Sequence, residues 1–252
     1  MRGNNAETLK PCKVKMTNNT ATTQPLFFKE AVVLTSTLHA KSSFKAESNY
    51  LFAAQTNSIP LAMSEFELAA SSYPIVFAGT DAIAVTGLTA ENNVFVDKKG
   101  QWDMRSYIPA YVRKYPFLFH ISDDSDTFTL CIEKANIADD DSGIPFFEKE
   151  KPTQLINDNL EFCKNFQAAW NQTQQFVSTL VELDLLIERR ADLQTPDGES
   201  SSLSGFNVID KDKYNALTDA ELNNLPREFV SAINSHFVSM SRWQSILHLS
   251  SN

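Results

Sequence analysis

The sequence predicts an α+β fold: a β-rich N-terminal lobe of short strands and hairpins with two short helices, covered by a helical C-terminal lobe. Two observations predict it. Between Pro25 and Glu133 the apolar residues come in short runs broken by turn residues, the patterning of strands. After Thr153 they recur at spacings of three, four or seven, the period of a helix face. The expected division is a disordered leader over residues 1–24, a β-rich lobe over 25–135 and a helical lobe over 152–252, the two lobes forming one continuous domain over 25–250.

The leader is polar, with Asn18-Asn19-Thr20-Ala21-Thr22-Thr23, and has little to bury against its ordering entropy. Tyr50–Ala54, Ile75–Ala78 and Ala82–Leu88 read as strands. Val94-Phe95-Val96, a turn at Asp97–Gly100, and Gln101-Trp102 read as a hairpin in which Gly100 supplies positive φ. Phe117–Ile121 and Thr127–Ile132 form a second hairpin across the acidic connection Ser122–Asp126. Ser64 with Glu67 makes a capping box for a helix over Glu65–Ser71, which Tyr73-Pro74 ends. A second helix is expected from about Tyr107 to Lys114, with Ser106 as cap and Tyr115-Pro116 as stop. Ala138–Lys151 reads as a loop. Thr153 then caps a long helix reaching about Arg190, with the stripe Ile156, Leu160, Cys163, Phe166, Trp170, Val177, Leu180 and Ile187. Thr195–Ser202 is a flexible connector, and Phe206–Ile209 reads as a strand. Asp210 caps a turn at Lys211, and Thr218 with Glu221 forms a capping box. Pro226 opens a last helix with the stripe Phe229, Ile233, Phe237, Met240 and Leu247.

The chain has 252 residues, 18 of them Phe, enough for an aromatic core without staples. Its net charge of −9 argues against a nucleic-acid surface and against adsorption to anionic lipid. No apolar run approaches the ~18 residues of a membrane span, and no apolar segment of an export signal follows Met1. Cys12, Cys131 and Cys163 are widely separated and read as free thiols of a reducing compartment, so the expected location is the cytoplasm.

No metal or cofactor site is expected. His39, His120, His236 and His248 lack ligand spacing; His120 reads as a core or rim residue and the last two as lining the final helix. The Asp139-Asp140-Asp141 run has its glycine one position early for a calcium loop and reads as a solvated acidic loop. Seven dispersed glycines exclude a phosphate cradle and a nucleophile elbow. The remaining candidate is aromatic and cationic. Tyr107, Tyr111 and Tyr115 are spaced four apart, with Trp102 and Arg105 just before them and Arg113 among them. Such residues suit recognition of a peptide or protein, so Trp102, Arg105, Tyr107, Tyr111, Arg113 and Tyr115 are the expected binding residues. Packing of the Tyr face against the sheet, with Arg113 paired to a carboxylate, is the alternative. An enzyme using carboxylate and Tyr acid–base groups, or a structural subunit, are the rival functional classes.

At these residues the chain resembles the SapC family, named for a protein of bacterial surface-layer loci. The resemblance lies in Leu26-Phe27-Phe28, in Tyr73-Pro74-Ile75-Val76-Phe77-Ala78-Gly79, in Asn93-Val94-Phe95-Val96-Asp97 through Trp102, and most strongly in Tyr107-Ile108-Pro109-Ala110-Tyr111-Val112-Arg113-Lys114-Tyr115-Pro116-Phe117. Gly205–Asp210 and Leu217-Thr218-Asp219 match a later block, so the likeness covers about residues 25 to 250. It implies a bacterial accessory protein, cofactor-free and non-catalytic, that binds a peptide or partner protein in surface-layer or outer-membrane protein export or modification. Similar genes lie beside outer-membrane receptors, cupin-like oxygenases and flavin-dependent halogenase-like enzymes. The family supplies no established catalytic residue. The chain carries Arg113-Lys114 where the family pattern has paired Arg, which weakens a bidentate anion contact at the second position.

Overall fold

The computed structural model describes residues 25–121, 128–194 and 200–250. The expected leader, the connection Ser122–Asp126 and residues 195–199 of the expected connector lie outside them. In chain order, β1 (Ala31–Val33) leads to α1 (Ser36–His39), capped by the Thr35 hydroxyl, which accepts from Leu38 N. Next come β2 (Ser43–Phe44), β3 (Ser58–Pro60), α2 (Phe66–Ala69), β4 (Ile75–Ala78), β5 (Asp81–Val85) and α3 (Ala110–Arg113). The expected hairpin follows as β6 (Phe117–Ile121) and β7 (Phe128–Glu133). The short strands β8 (Ile137–Ala138), β9 (Ile144–Pro145), β10 (Phe147–Glu148) and β11 (Lys151–Pro152) lie where a loop was expected. The C-terminal part comprises α4 (Gln154–Glu182), β12 (Leu186–Gln194), β13 (Ser200–Ile209), α5 (Lys211–Asn215), α6 (Asp219–Asn224), α7 (Arg227–Ser239) and α8 (Trp243–Ser250). The fold is α+β.

Several elements differ from expectation, each for a local reason. The long helix stops at Glu182, not near Arg190. Asp184 takes a left-handed φ of 52°, and Leu185 N returns to Leu180 O at 2.9 Å, a helix-ending arrangement. Leu186 and Ile187 then enter β12, which pairs antiparallel with β13 from Leu186↔Ile209 to Gln194↔Ser200, so Ser200–Ser202 is strand and not connector. Tyr50–Ala54 is not a strand: Leu51–Ala53 is a 3-10 turn, closed by Ala53 N donating to Tyr50 O at 2.9 Å, in a segment with no β-branched residue. Ser64 does not cap. The chain enters a 3-10 turn at Met63–Glu65, and Glu65 Oε2 accepts from Ala62 N at 3.1 Å before α2 begins. The last helix breaks at Met240–Arg242 before α8. The hairpin at Val96–Trp102 is a single bridge, but Gly100 has the expected positive φ, 77°.

Two compact units emerge. The first takes residues up to Ser48 together with Lys114–Asn165. Its sheet runs β1-β7-β6, all antiparallel. Side chains alternate across it: Val32, Phe117, Leu130 and Ile132 join Phe146, Ile156 and Cys163 in one cluster, while Ala31, Leu118 and Cys131 pack with Phe28 in another. The Glu133 carboxylate, buried at the sheet end, accepts from Lys29 N at 2.7 Å and Glu30 N at 3.1 Å. The second unit takes Asn49–Arg113 and the residues from Phe166 onward. Its sheet has the order β12-β13-β4-β5-β3. Phe66, Phe77, Phe176 and Phe229 form its aromatic centre, with Phe176 5.2 Å from Phe229 and 6.2 Å from Phe77. Buried helix side chains also pin backbone: Thr173 Oγ1 accepts from Met63 N at 2.7 Å, and Ser239 Oγ from Ile75 N at 3.0 Å. Among the described residues no helix is long and apolar enough to cross a membrane.

Candidate functional site

Pro109 decides the geometry of the tyrosine segment. It has no N–H, and Ile108 before it avoids the α region, so the segment does not run on as one helix through Tyr107; α3 is confined to Ala110–Arg113. Ser106 therefore caps nothing, and Tyr107, Tyr111 and Tyr115 share no helix face. The free amide at the start of α3, Ala110 N, donates instead to Glu65 Oε1 at 2.6 Å.

Glu65 is the hub of this part of the second unit. Its buried carboxylate accepts from Ala62 N, from Ala110 N and from the Tyr107 hydroxyl at 2.8 Å, and Arg113 Nη2 lies 3.9 Å away. Arg113 Nη2 also donates to the Tyr107 hydroxyl at 3.0 Å, and its Nε donates to Ile108 O at 3.0 Å. Burial, reinforced by the Glu65 charge, pushes the Tyr107 phenol up to about 12, so it stays protonated and keeps donating to Glu65 at neutral pH. Tyr107 N donates to Ser72 Oγ at 3.0 Å, and the Tyr73 hydroxyl donates to Tyr107 O. Trp102 Nε1 in turn donates to the Tyr73 hydroxyl at 3.2 Å. Burial raises the Tyr73 phenol further still. Three hydrogen bonds to the Glu65 carboxylate tie Ala62, Tyr107 and Ala110 together, so the arrangement holds a loop in place.

What it holds is the turn Asp103–Ser106. Asp103 Oδ1 accepts from Arg105 N at 3.1 Å and from Arg105 Nε at 3.2 Å, and Ser106 N donates to Asp103 O at 2.9 Å. The Arg105 hydrogen bond holds the Asp103 carboxyl below its usual range. At the tip Met104 is 99% exposed, and the Arg105 side chain beside it is 85% exposed.

Of the six expected binding residues, five lie in this unit. Arg105 and Arg113 are exposed and Tyr107 is half-buried. Trp102 and Tyr111 do not line a surface: they are only 4% and 2% exposed. Trp102 packs edge-on to Tyr50 at 5.6 Å and Tyr111 to Phe166 at 5.9 Å, because their rings fill the space beneath the segment. Tyr115 belongs to the first unit, against Phe28 at 5.3 Å and Phe27 at 6.3 Å, and burial with the Glu133 and Glu47 charges pushes its phenol up to about 12. Lys114, at the family's second Arg position, is buried with Nζ 5.4 Å above the Phe28 ring; burial lowers its ammonium to about 8. That position faces the interior. Met104 and Glu65 had no sequence signal. An isolated methionine or glutamate has no period or spacing to betray it.

Elsewhere, Asp140 Oδ1 accepts from Ser142 N at 3.0 Å, closing the exposed acidic loop on itself. Among the described residues no three His, Cys, Asp or Glu side chains converge as metal ligands would. Cys131 and Cys163 are buried, and burial pushes the Cys163 thiol up to about 11. Comparison with known proteins gives a match to the family model described as SapC over residues 34–246. No curated protein and no solved structure matches the chain.

Proposed function

Because the chain belongs to the SapC family, we propose that it is a cytoplasmic accessory protein that binds a peptide or partner protein in bacterial surface-layer or outer-membrane protein export or modification. The docking surface in this reading is the Asp103–Tyr107 turn with Arg113. One observation carries it: Met104 stands fully in water at the tip of a turn that internal hydrogen bonds already fix. An exposed apolar side chain gains from burial by a partner. A turn ordered beforehand spares the entropy that a loose loop would lose on binding. Arg105 adds a charged, planar group of the type enriched where binding energy concentrates. The buried free thiol of Cys163 suits a reducing compartment. Affinity capture from the native host tests the reading. Met104→Glu should abolish recovery of a specific partner, while Val181→Glu, at another exposed apolar position, should leave it intact. Equal recovery with both variants would remove the turn from consideration.

A further inference from the structure

In the second unit, α7 turns two fully buried polar side chains toward the sheet, His236 and Ser239. Ser239 Oγ accepts from Ile75 N and donates to His236 O at 2.6 Å. His236 Nε2 accepts from Ile209 N, at the end of β13, at 3.1 Å. A ring nitrogen that accepts carries no proton, so the imidazole is neutral with its hydrogen on Nδ1. Nδ1 has no hydrogen-bond partner among the described residues. The ring lies 5.2 Å from Phe77 and 5.7 Å from Phe237.

Among the described residues of the elements around the ring, no carboxylate stands ready to stabilise a cation there. β4 and residues 203–209 of β13 carry no charge, and α2 offers only the exposed Glu67. The part of α4 from Phe166 onward carries only the exposed Glu182, and α7 itself only Arg227 and Glu228, exposed at its start. Asp210, next to Ile209, accepts from Asp212 N and Lys213 N as the cap of α5. The Lys211 ammonium, which lies 5.8 Å above the Phe237 ring, is positive. Beyond α7, Arg242 is positive as well and His248 is exposed. The influences on the ring are burial, which lowers its proton affinity, and the Ile75 backbone, which offsets this in part.

We propose that His236 is an acid-sensitive latch: protonation at Nε2 removes the acceptor of the Ile209 N–H, buries a cation with no carboxylate set against it, and releases α7 from the end of β13. The proton comes from solvent and both ring nitrogens then donate, so Ile209 N–H faces another donor. Release uncovers the apolar face of Phe229 and Ile233 and the rings of Phe77 and Phe176 beneath it. An isolated buried hydroxyl or threonine contact, such as Thr173 to Met63, has no such dependence on pH.

The sign is fixed by proton counting. The unfolded or released ring protonates near 6.5, whereas the latched ring resists until about 4. The latch is therefore fully closed above the released value, and its opening equilibrium rises about tenfold per pH unit as pH falls through that window. Below it no further loss arises from this group. Amide hydrogen exchange on the full chain tests the proposal between pH 7 and pH 4.5, after correction for intrinsic exchange rates. Protection should fall with that slope at Ile209 and across Arg227–Ser239, and should not fall at β7 in the first unit. His236→Gln keeps an acceptor without a titrating proton, and should hold protection flat over the same range. Should that variant not fold, ring-nitrogen resonances of the native chain give the answer: Nε2 must be unprotonated at pH 7. A protonated Nε2 at neutral pH, unchanged Ile209 protection at pH 4.5, or an equal acid response in His236→Gln would each overturn it.

Discussion

Glu65 is a carboxylate taken out of water and met by Ala62 N, Ala110 N, the Tyr107 hydroxyl and Arg113. Removing it strands those donors. Glu65→Ala should cost about 3–5 kcal/mol, the range for breaking a buried charged network. Tyr107→Phe deletes only the phenol contacts and should cost about 1–2 kcal/mol. Urea unfolding of the two variants checks both numbers, and a Glu65→Ala cost below that of Tyr107→Phe would contradict the hub. The sequence draws Tyr, Trp and Arg together as neighbours along the chain, but Tyr115 belongs to the first unit and the other five to the second. Arg113 does face a carboxylate, Glu65, at 3.9 Å, as the alternative reading of the segment expects. Which rings face inward was not legible, because Pro109 replaced the expected helix face with an extended approach to α3.

At the scale of elements, local signals were readable and long-range ones were not. Asp210 and Thr218 with Glu221 cap α5 and α6 as their spacing announces, since a cap is decided within four residues. The Val96–Trp102 turn needs a glycine for two reasons that sequence showed only in part. Gly100 has φ 77°, and a Cβ there would approach Asn49 Cβ to 2.7 Å and Leu51 Cγ to 2.9 Å. Gly100→Ala should therefore destabilise the second unit by about 1–3 kcal/mol, read from the shift in its unfolding midpoint. An unchanged midpoint would mean the turn can yield. The strand β12 was invisible for a different reason. Leu186 and Ile187 continue the helical spacing of α4, and only Asp184 in a left-handed conformation and the partner β13 make them strand. An aspartate is a weaker stop signal than glycine, though it tolerates that conformation better than most residues.

For the whole molecule, the α+β class followed from the change of apolar period at Thr153, and the SapC assignment from motifs that, apart from Leu26-Phe27-Phe28, fall within the residues the family model matches, 34–246. Each compact unit has its own core: aliphatic and phenylalanine side chains on both faces of β1-β7-β6 in one, four converging phenylalanines in the other. The candidate site was legible in the sequence only as a neighbourhood. The exposed tip at Met104 emerged once Trp102 and Tyr111 proved to be the packing beneath it. Partner docking at that tip is the central claim, and photo-crosslinking from position 104 in the native host tests it most directly. A photoreactive phenylalanine at 104 should give one dominant adduct, weakened by Arg105→Glu and missing when the probe sits at position 181. No adduct from 104, or the same adducts from both positions, would contradict the account.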